Sequence, residues 1–299
     1  MFDITPTLQL ANRSITLDRP RVMGIVNLTP DSFSDGGQLS SVEAALKRAR
    51  RLLEEGADIL DLGAESSRPG AESVSVDEEL ARLMPVLERV LAECDAPVSV
   101  DTAKPEVMRA AIAAGVHLIN DIRALREPGA IDAVADSQVA LCLMHMQGEP
   151  RSMQDAPQYD DVVADVHRFL AERIFACEMS GIDKRRIVVD PGFGFGKSLQ
   201  HNYQLLARLA RFADLKVPLL AGVSRKSMIG AVTGREVGDR LAGSVAAALV
   251  AAQHGAAIVR VHDVAATVDA LKVWCEVKPY VQSAATKSAA PKIAWPDED

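Results

Sequence analysis

The chain has 299 residues, 48% of them hydrophobic and 25% charged, with a formal net charge of −8. At roughly 150 residues per domain the length allows two domains or one large barrel, and the composition is that of a globular protein rather than a disordered one. The acidic balance argues against a nucleic-acid partner. No apolar run approaches the roughly 18 residues of a membrane span, and no secretory pattern is seen, so no membrane partner is expected; four cysteines that read as reduced thiols make a cytoplasmic location the expectation.

The predicted elements begin with a hairpin, residues 8–10 and 15–17, placed before the main domain and across one end of it. Short β-branched apolar runs then read as buried parallel strands at 21–28, 58–63, 97–101, 117–122, 139–144, 186–190, 218–223 and 257–261. Between them lie stretches with apolar residues three and four apart, at 42–55, 78–94, 106–114, 162–179, 203–212, 241–254 and 264–276. Glycines such as Gly115 follow many of these, where a helix would stop in a left-handed residue. Strand and helix alternate about eight times over roughly 250 residues, the arithmetic of a (β/α)8 TIM barrel. A doubly wound sheet is the rival, but no GxGxxG follows the first strand. A single domain over 1–282 is expected, with 283–299, rich in Ala, Ser, Lys and Pro, as a disordered tail. Cys94, Cys142, Cys177 and Cys275 lack metal-ligand or redox spacing and read as reduced thiols.

In such a barrel, chemistry collects where strands run into their following loops. Those positions hold Asn27, Glu65 to Arg68, Asp101, Asn120, Met144, Asp190, Lys226, Arg260 and His262. Each has a bland reading: Asp101 as a helix cap, Asn120 as a turn residue, Asp190-Pro191 as a strand stop. All eight ends being polar by accident is much less probable than any one of them. Arg260 and His262 lie two apart, on one side of a strand; an inward Arg260 would need an anionic partner. Asp101, Asn120 and Asp190 suit a flat heterocycle with adjacent N–H donors, Lys226 can donate to a ring carbonyl, and Met144 and Phe195 can pack on its faces. Arg68, Arg260 and His262 would make a cationic corner for a phosphate-type leaving group.

Met23-Gly-Ile-Val-Asn-Leu-Thr-Pro-Asp-Ser-Phe-Ser-Asp-Gly-Gly37, Glu65-Ser-Ser-Arg-Pro-Gly70, Ser99-Val-Asp-Thr102, Asn120-Asp-Ile122, Met144-His-Met-Gln-Gly148, Asp190-Pro-Gly-Phe-Gly-Phe-Gly-Lys197, Gly222-Val-Ser-Arg-Lys-Ser227 and Arg260-Val-His262 resemble, in order, the motifs of the dihydropteroate synthase family. The resemblance implies a (β/α)8 transferase of folate synthesis, a sulfonamide target, usually dimeric. It joins 4-aminobenzoate to 6-hydroxymethyl-7,8-dihydropterin pyrophosphate and releases pyrophosphate. It implies that Asp101, Asn120, Ile122, Met144, Asp190 and Lys226 hold the pterin. Asn27, Arg68, Arg260 and His262 would serve the pyrophosphate, with Mg2+ near Asn27. Phe33, Ser67, Arg68, Pro69, Phe195 and Ser227 would shape the aminobenzoate side, and Asp31 would help frame the amine's entry. Ser67 stands where the family commonly has Thr, which bears on sulfonamide affinity. A pterin-binding methyltransferase would share the barrel and the carboxylates but would not need the long first loop or the Arg-x-His pair. A non-catalytic pterin-binding paralogue would be expected to have lost part of the first two loops.

Overall fold

The computed structural model describes residues 6–28, 38–66, 73–148, 153 and 157–287. Strands β1 (Thr7–Leu10) and β2 (Arg13–Thr16) pair antiparallel as the expected hairpin. Eight parallel strands follow: β3 (Arg21–Asn27), β4 (Ile59–Gly63), β5 (Val98–Asp101), β6 (Leu118–Asp121), β7 (Ala140–Met144), β8 (Ile187–Asp190), β9 (Leu220–Ala221) and β10 (Ile258–Val261). Their order β8-β7-β6-β5-β4-β3-β10-β9 closes into a ring through the bridge between Val189 and Leu219, with Val189 N donating to Pro218 O at 3.0 Å. The helices are α1 (Gln38–Glu54), α2 (Val76–Glu93), α3 (Pro105–Ala114), α4 (Ala130–Ala135), α5 (Val162–Met179), α6 (Leu199–Ala207), α7 (Ser227–Thr233), α8 (Leu241–Gln253) and α9 (Val264–Lys287).

Alternation along the strands makes two cores. Leu60, Leu62, Val98, Val100, Ile119, Leu141 and Val189 face outward into the layer under the helices. Met23, Ile59, Leu118, Cys142, Val188, Leu220 and Ile258 face inward and fill the lower barrel, where Leu8 and Leu10 of the hairpin plug its base. Above this apolar plug the inward positions turn polar, which is what creates a site at the C-terminal end.

The helices start where local chemistry allows. Ser75 accepts from Glu78 N at 3.2 Å to open α2, and Asp161 accepts from Val163 N and Ala164 N to open α5. Ser198 and His201 form a reciprocal capping pair that starts α6 at Leu199, four residues before the periodic apolar pattern predicted. The stretch predicted as helix to 212 instead becomes a 3-10 turn over Leu209–Leu215. Gly115 ends α3 at φ 96, as expected. The short α4 and α7 were not foreseen; six and seven residues are too few to show a period. Helix α9 runs to Lys287, past the tail boundary drawn at residue 283, so 283–287 are helical; residues 288–299 lie outside the described residues. All four cysteines are free thiols.

Candidate active site

Parallel register brings distant residues level. Gly63 pairs with Asp101, Asp101 with Asn120, and Met144 with Asp190, so the polar ends of β5 to β8 form one rim. Within that rim lies a recess of about 460 Å3, counting its open mouth, lined by Ile25, Asp101, Asn120, Ile122, Met144, Asp190, Phe193, Phe195, Gly222, Ser224, Lys226, Arg260 and His262. Every residue predicted to hold the heterocycle is on this wall.

The walls differ in chemistry. Met144, Met146, Met153 and Phe195 cluster with Ile122 on one side. The Lys226 ammonium stands 4.1 Å from the centre of the Phe195 ring, a cation–π pair. Asp190 spends Oδ1 on Gly192 N, at 2.7 Å, which leaves Oδ2 and the remaining lone pair of Oδ1 for a ligand. Burial raises the Asp190 pKa above the usual carboxylate range, against the Gly192 N–H, Lys226, Lys197 and Arg260, which pull it down. Burial pushes Lys226 down to about 8, although Asp190 favours its charge.

Arg260 is not a bare cation. Its Nε donates to Asp61 Oδ2 at 2.6 Å and its Nη2 to Asp101 Oδ2 at 2.9 Å. Burial works against the Arg260 charge, but Asp61, Asp101 and Asp190 outweigh it and hold its pKa above the ordinary value. Burial lifts Asp101 to about 7, with Arg260 pulling down and Asp61, Asp121 and Glu79 pushing up. The anionic partner that an inward Arg260 requires is thus supplied from inside the barrel. His262 is oriented by Ser224, whose Oγ lies 3.0 Å from its Nδ1 and accepts from its backbone N at 3.2 Å.

The glycine-rich loop after β8 is shaped by a buried lysine. Lys197 donates to Gly192 O at 2.9 Å, Phe195 O at 3.0 Å and His145 O at 3.3 Å, and its Nζ lies 2.9 Å from His145 Nδ1. Burial, then Lys197 and Arg126, hold His145 down at about 2, so it is neutral and accepts through Nδ1. It lies off the recess, so it is no candidate to take a proton from a ligand there. A Cβ on Gly192 would sit 2.0 Å from His145 O, and one on Gly196 2.2 Å from Gln147 O; only glycine lets these two loops touch.

Other candidates fall apart from this group. Ser227 is exposed at the start of α7 and is not in the recess. Asn27 ends β3, level with Gly63. Asp31, Phe33, Ser67, Arg68 and Pro69 lie outside the described residues. Asp121, beside Asn120, is a turn residue that accepts from Arg123 N and Leu125 N, each at 2.7 Å. Sequence reasoning missed Asp61, Ser224 and Lys197. Asp61 left a signal: a lone carboxylate in the apolar run Ile59-Leu-Asp-Leu-Gly63 must find a cation.

The family described as pterin binding enzyme matches residues 23–262. The chain is 54% identical over 260 residues to the dihydropteroate synthase of Escherichia coli K12, covering 87% of this chain and 92% of that one. It is 62% identical to a Xanthomonas albilineans dihydropteroate synthase solved with 4-aminobenzoic acid, TM-score 0.87, covering 96% of this chain and all of the other (100%). A structure of the Xanthomonas albilineans enzyme in complex with 7,8-dihydropteroate is 60% identical, TM-score 0.83, with the same coverage, 96% and 100%. A barrel whose strand ends close around one acceptor-rich recess, in a chain of this similarity, belongs to the dihydropteroate synthase family of pterin-binding enzymes.

Proposed function

We propose that this chain condenses 6-hydroxymethyl-7,8-dihydropterin pyrophosphate with 4-aminobenzoate to give 7,8-dihydropteroate and pyrophosphate. The observation that carries this reading is the convergence of Asp101, Asn120, Asp190 and Lys226 on one recess walled by Met144 and Phe195. In the reaction the methylene C–O bond breaks, a C–N bond to the aromatic amine forms, and the amine loses a proton. Asp190 and Asn120 take the donor edge of the aminopyrimidinone, and Lys226 donates to its carbonyl. Arg260 and His262 face the leaving oxygen, with Asn27 at the end of β3; Arg68, outside the described residues, is given the same role by the family resemblance. Among the described residues, His145 is neutral, buried and off the recess, so it is no base for the amine. The residues therefore act on the leaving side, by stabilising the departing anion while the electron-rich ring supports the methylene cation. The substitution is dissociative, so the methylene cation must be kept from water until the amine attacks.

Mg2+ fits a supporting part. Among the described residues no group of three or more His, Cys, Asp or Glu could hold a metal ion, and the strand-end donor that the resemblance assigns to Mg2+ is the amide oxygen of Asn27, at the end of β3. One amide plus substrate phosphates suits an ion that keeps its waters. Asn27 would hold it with the pyrophosphate, where it supplies charge neutralisation.

Among the described residues no helix is long and apolar enough to cross a membrane, and a cytoplasmic enzyme acting on small molecules is the reading offered. A homodimer is part of it, supported by exposed Val232, Val237 and Leu241 around α7 and α8 and by Val273, Val277 and Tyr280 on α9. The test of the activity is pyrophosphate release from the pterin ester in the presence of Mg2+. Release should require 4-aminobenzoate and match dihydropteroate formed; release without that product would overturn the reading.

A further inference from the structure

Asp61 sits on the inward face of β4, one step above Ile59 of the apolar plug and level with Ile25 on β3 and Ser99 on β5. Its side chain is 0% exposed and is not part of the recess wall. A carboxylate at that depth is costly unless a cation and hydrogen bonds hold it. Arg260 answers from β10, the next strand but one, across β3. Its guanidinium fork is split between two carboxylates on neighbouring strands, with Nε on Asp61 and Nη2 on Asp101. The Asn120 amide leans on the same oxygen, Nδ2 to Asp61 Oδ2 at 3.5 Å. One buried oxygen thus meets two residues of the recess wall, while Asp61 Oδ1 has no hydrogen-bond partner among the described residues.

The geometry has a consequence for what a ligand meets. An arginine on a long side chain at the mouth of an anion site would rotate freely and would be drawn to whichever anion came nearest. Here Nε is committed to Asp61 beneath the recess and Nη2 to Asp101 on its wall, which holds the side chain across the floor and leaves Nη1 and the second hydrogen of Nη2 for substrate. Asp101 is likewise committed through Oδ2, so it offers Oδ1. Asp61, outside the recess wall, orients Arg260 directly and Asp101 through it.

We propose that Asp61 is a positioning residue: from beneath the recess it pins Arg260 across the floor, and thereby sets how Arg260 and Asp101 meet the pterin substrate. The charges around Asp101 make this visible in solution. Arg260 of β10, Asp61 of β4, Asp121 of β6, Glu79 of α2 and Lys226 after β9 all act on it, alongside the neutral amide of Asn120. Asp61 is the anionic neighbour with the largest effect in raising the proton affinity of Asp101, second to burial. Removing its charge while keeping its shape must move the titration of Asp101 toward acid, which a merely structural role would not do.

The inference rests on the pterin reading of the recess, so the experiment separates the two. Dihydropterin binding is measured by calorimetry from pH 5 to 9 on the full chain and on Asp61→Asn. Wild type that binds no 6-hydroxymethyl-7,8-dihydropterin at any pH defeats the pterin reading itself. Given wild-type binding, Asp61→Asn should move the acidic limb by roughly one pH unit toward acid. Its affinity on the plateau should fall roughly tenfold, because the charge-assisted bond holding Arg260 is weakened, while the KM for 4-aminobenzoate stays within about twofold, since no group said to hold that substrate is touched. An unchanged pH profile and pterin affinity, with only a lower melting temperature, would reduce Asp61 to a structural residue and overturn the proposal. If Asp61→Asn fails to fold, the wild type still answers. The Nε proton of Arg260, assigned by its loss in Arg260→Lys, should be shifted downfield and slow to exchange before and after pterin binds. A proton exchanging as fast as those of exposed arginines would overturn the proposal as well.

Discussion

Each carboxylate of the recess has a distinct job because each has a different partner. Among the described residues Asp190 accepts from the Gly192 N–H of its own loop, so its ligand-facing acceptors are the ones a pterin edge would use. Asp190→Asn replaces one acceptor by an NH2 group that faces other donors in a dry pocket. We expect dihydropterin affinity to fall at least about 100-fold, on the scale of a buried unpaired group next to a charge-assisted bond. Calorimetry checks this, and unchanged binding would remove Asp190 from the site. Asp101 and Lys226 set the pH dependence. Asp101 accepts donors most strongly as the carboxylate, and its pKa is raised to about 7, so binding should strengthen as pH rises through that value. Lys226 donates as a cation and its pKa is lowered to about 8, so binding should weaken as pH rises further. The profile of kcat/KM for the pterin ester should be a narrow bell between those values. A profile flat from pH 6 to 9 would count against both assignments.

At the scale of elements, the site depends on two loops that brace each other. The loop after β8 lies against the loop after β7 through Gly192 and Gly196, and Lys197 ties the two together from inside. Gly196→Ala would place a Cβ 2.2 Å from Gln147 O on a backbone at φ +59. The clash and strain should cost about 2 kcal/mol or more, a fall of roughly 4 °C or more in melting temperature. Pterin affinity should fall with it, because Phe195 lies one residue away; a melt within 1 °C of wild type, about the scatter of a neutral surface change, would refute the close packing. The alternation of strands and amphipathic stretches was legible in the sequence because each is a local period. So were the strand-end residues, since the fold class alone says where to look. The loop was legible as unusual, but its reason was not: the atoms that forbid a side chain on Gly192 belong to His145, 47 positions earlier in the chain (192 − 145). Arg260 and Asp61 are separated by 199 residues and meet only because the last strand of the barrel, β10, pairs with its first, β3. Partners made by closure leave no spacing to read, although the buried carboxylate in β4 announces that one must exist.

At the scale of the molecule, the recess belongs to a single barrel, and the apolar surface lies elsewhere. Val232, Val237 and Leu241 around α7 and α8 are 59%, 54% and 46% exposed, and Val277 and Tyr280 of α9 are 45% and 77% exposed. Such surface is costly to leave in water. Sedimentation at micromolar concentration should give the mass of two chains, and Leu241→Arg should give one while dihydropterin binding stays within about threefold, because every wall residue comes from one chain. A wild type sedimenting as one chain would contradict the dimer. The central claim is that the strand ends of this barrel form one pterin pocket. A crystal structure of this protein with 6-hydroxymethyl-7,8-dihydropterin tests it directly. The ring is expected within the recess, between the Met144 and Phe195 side and Arg260, with its donor edge on Asp190 and Asn120 and its carbonyl on Lys226. Density for the pterin in any other cleft, or a ring in the recess with Asp190 unengaged, would contradict it.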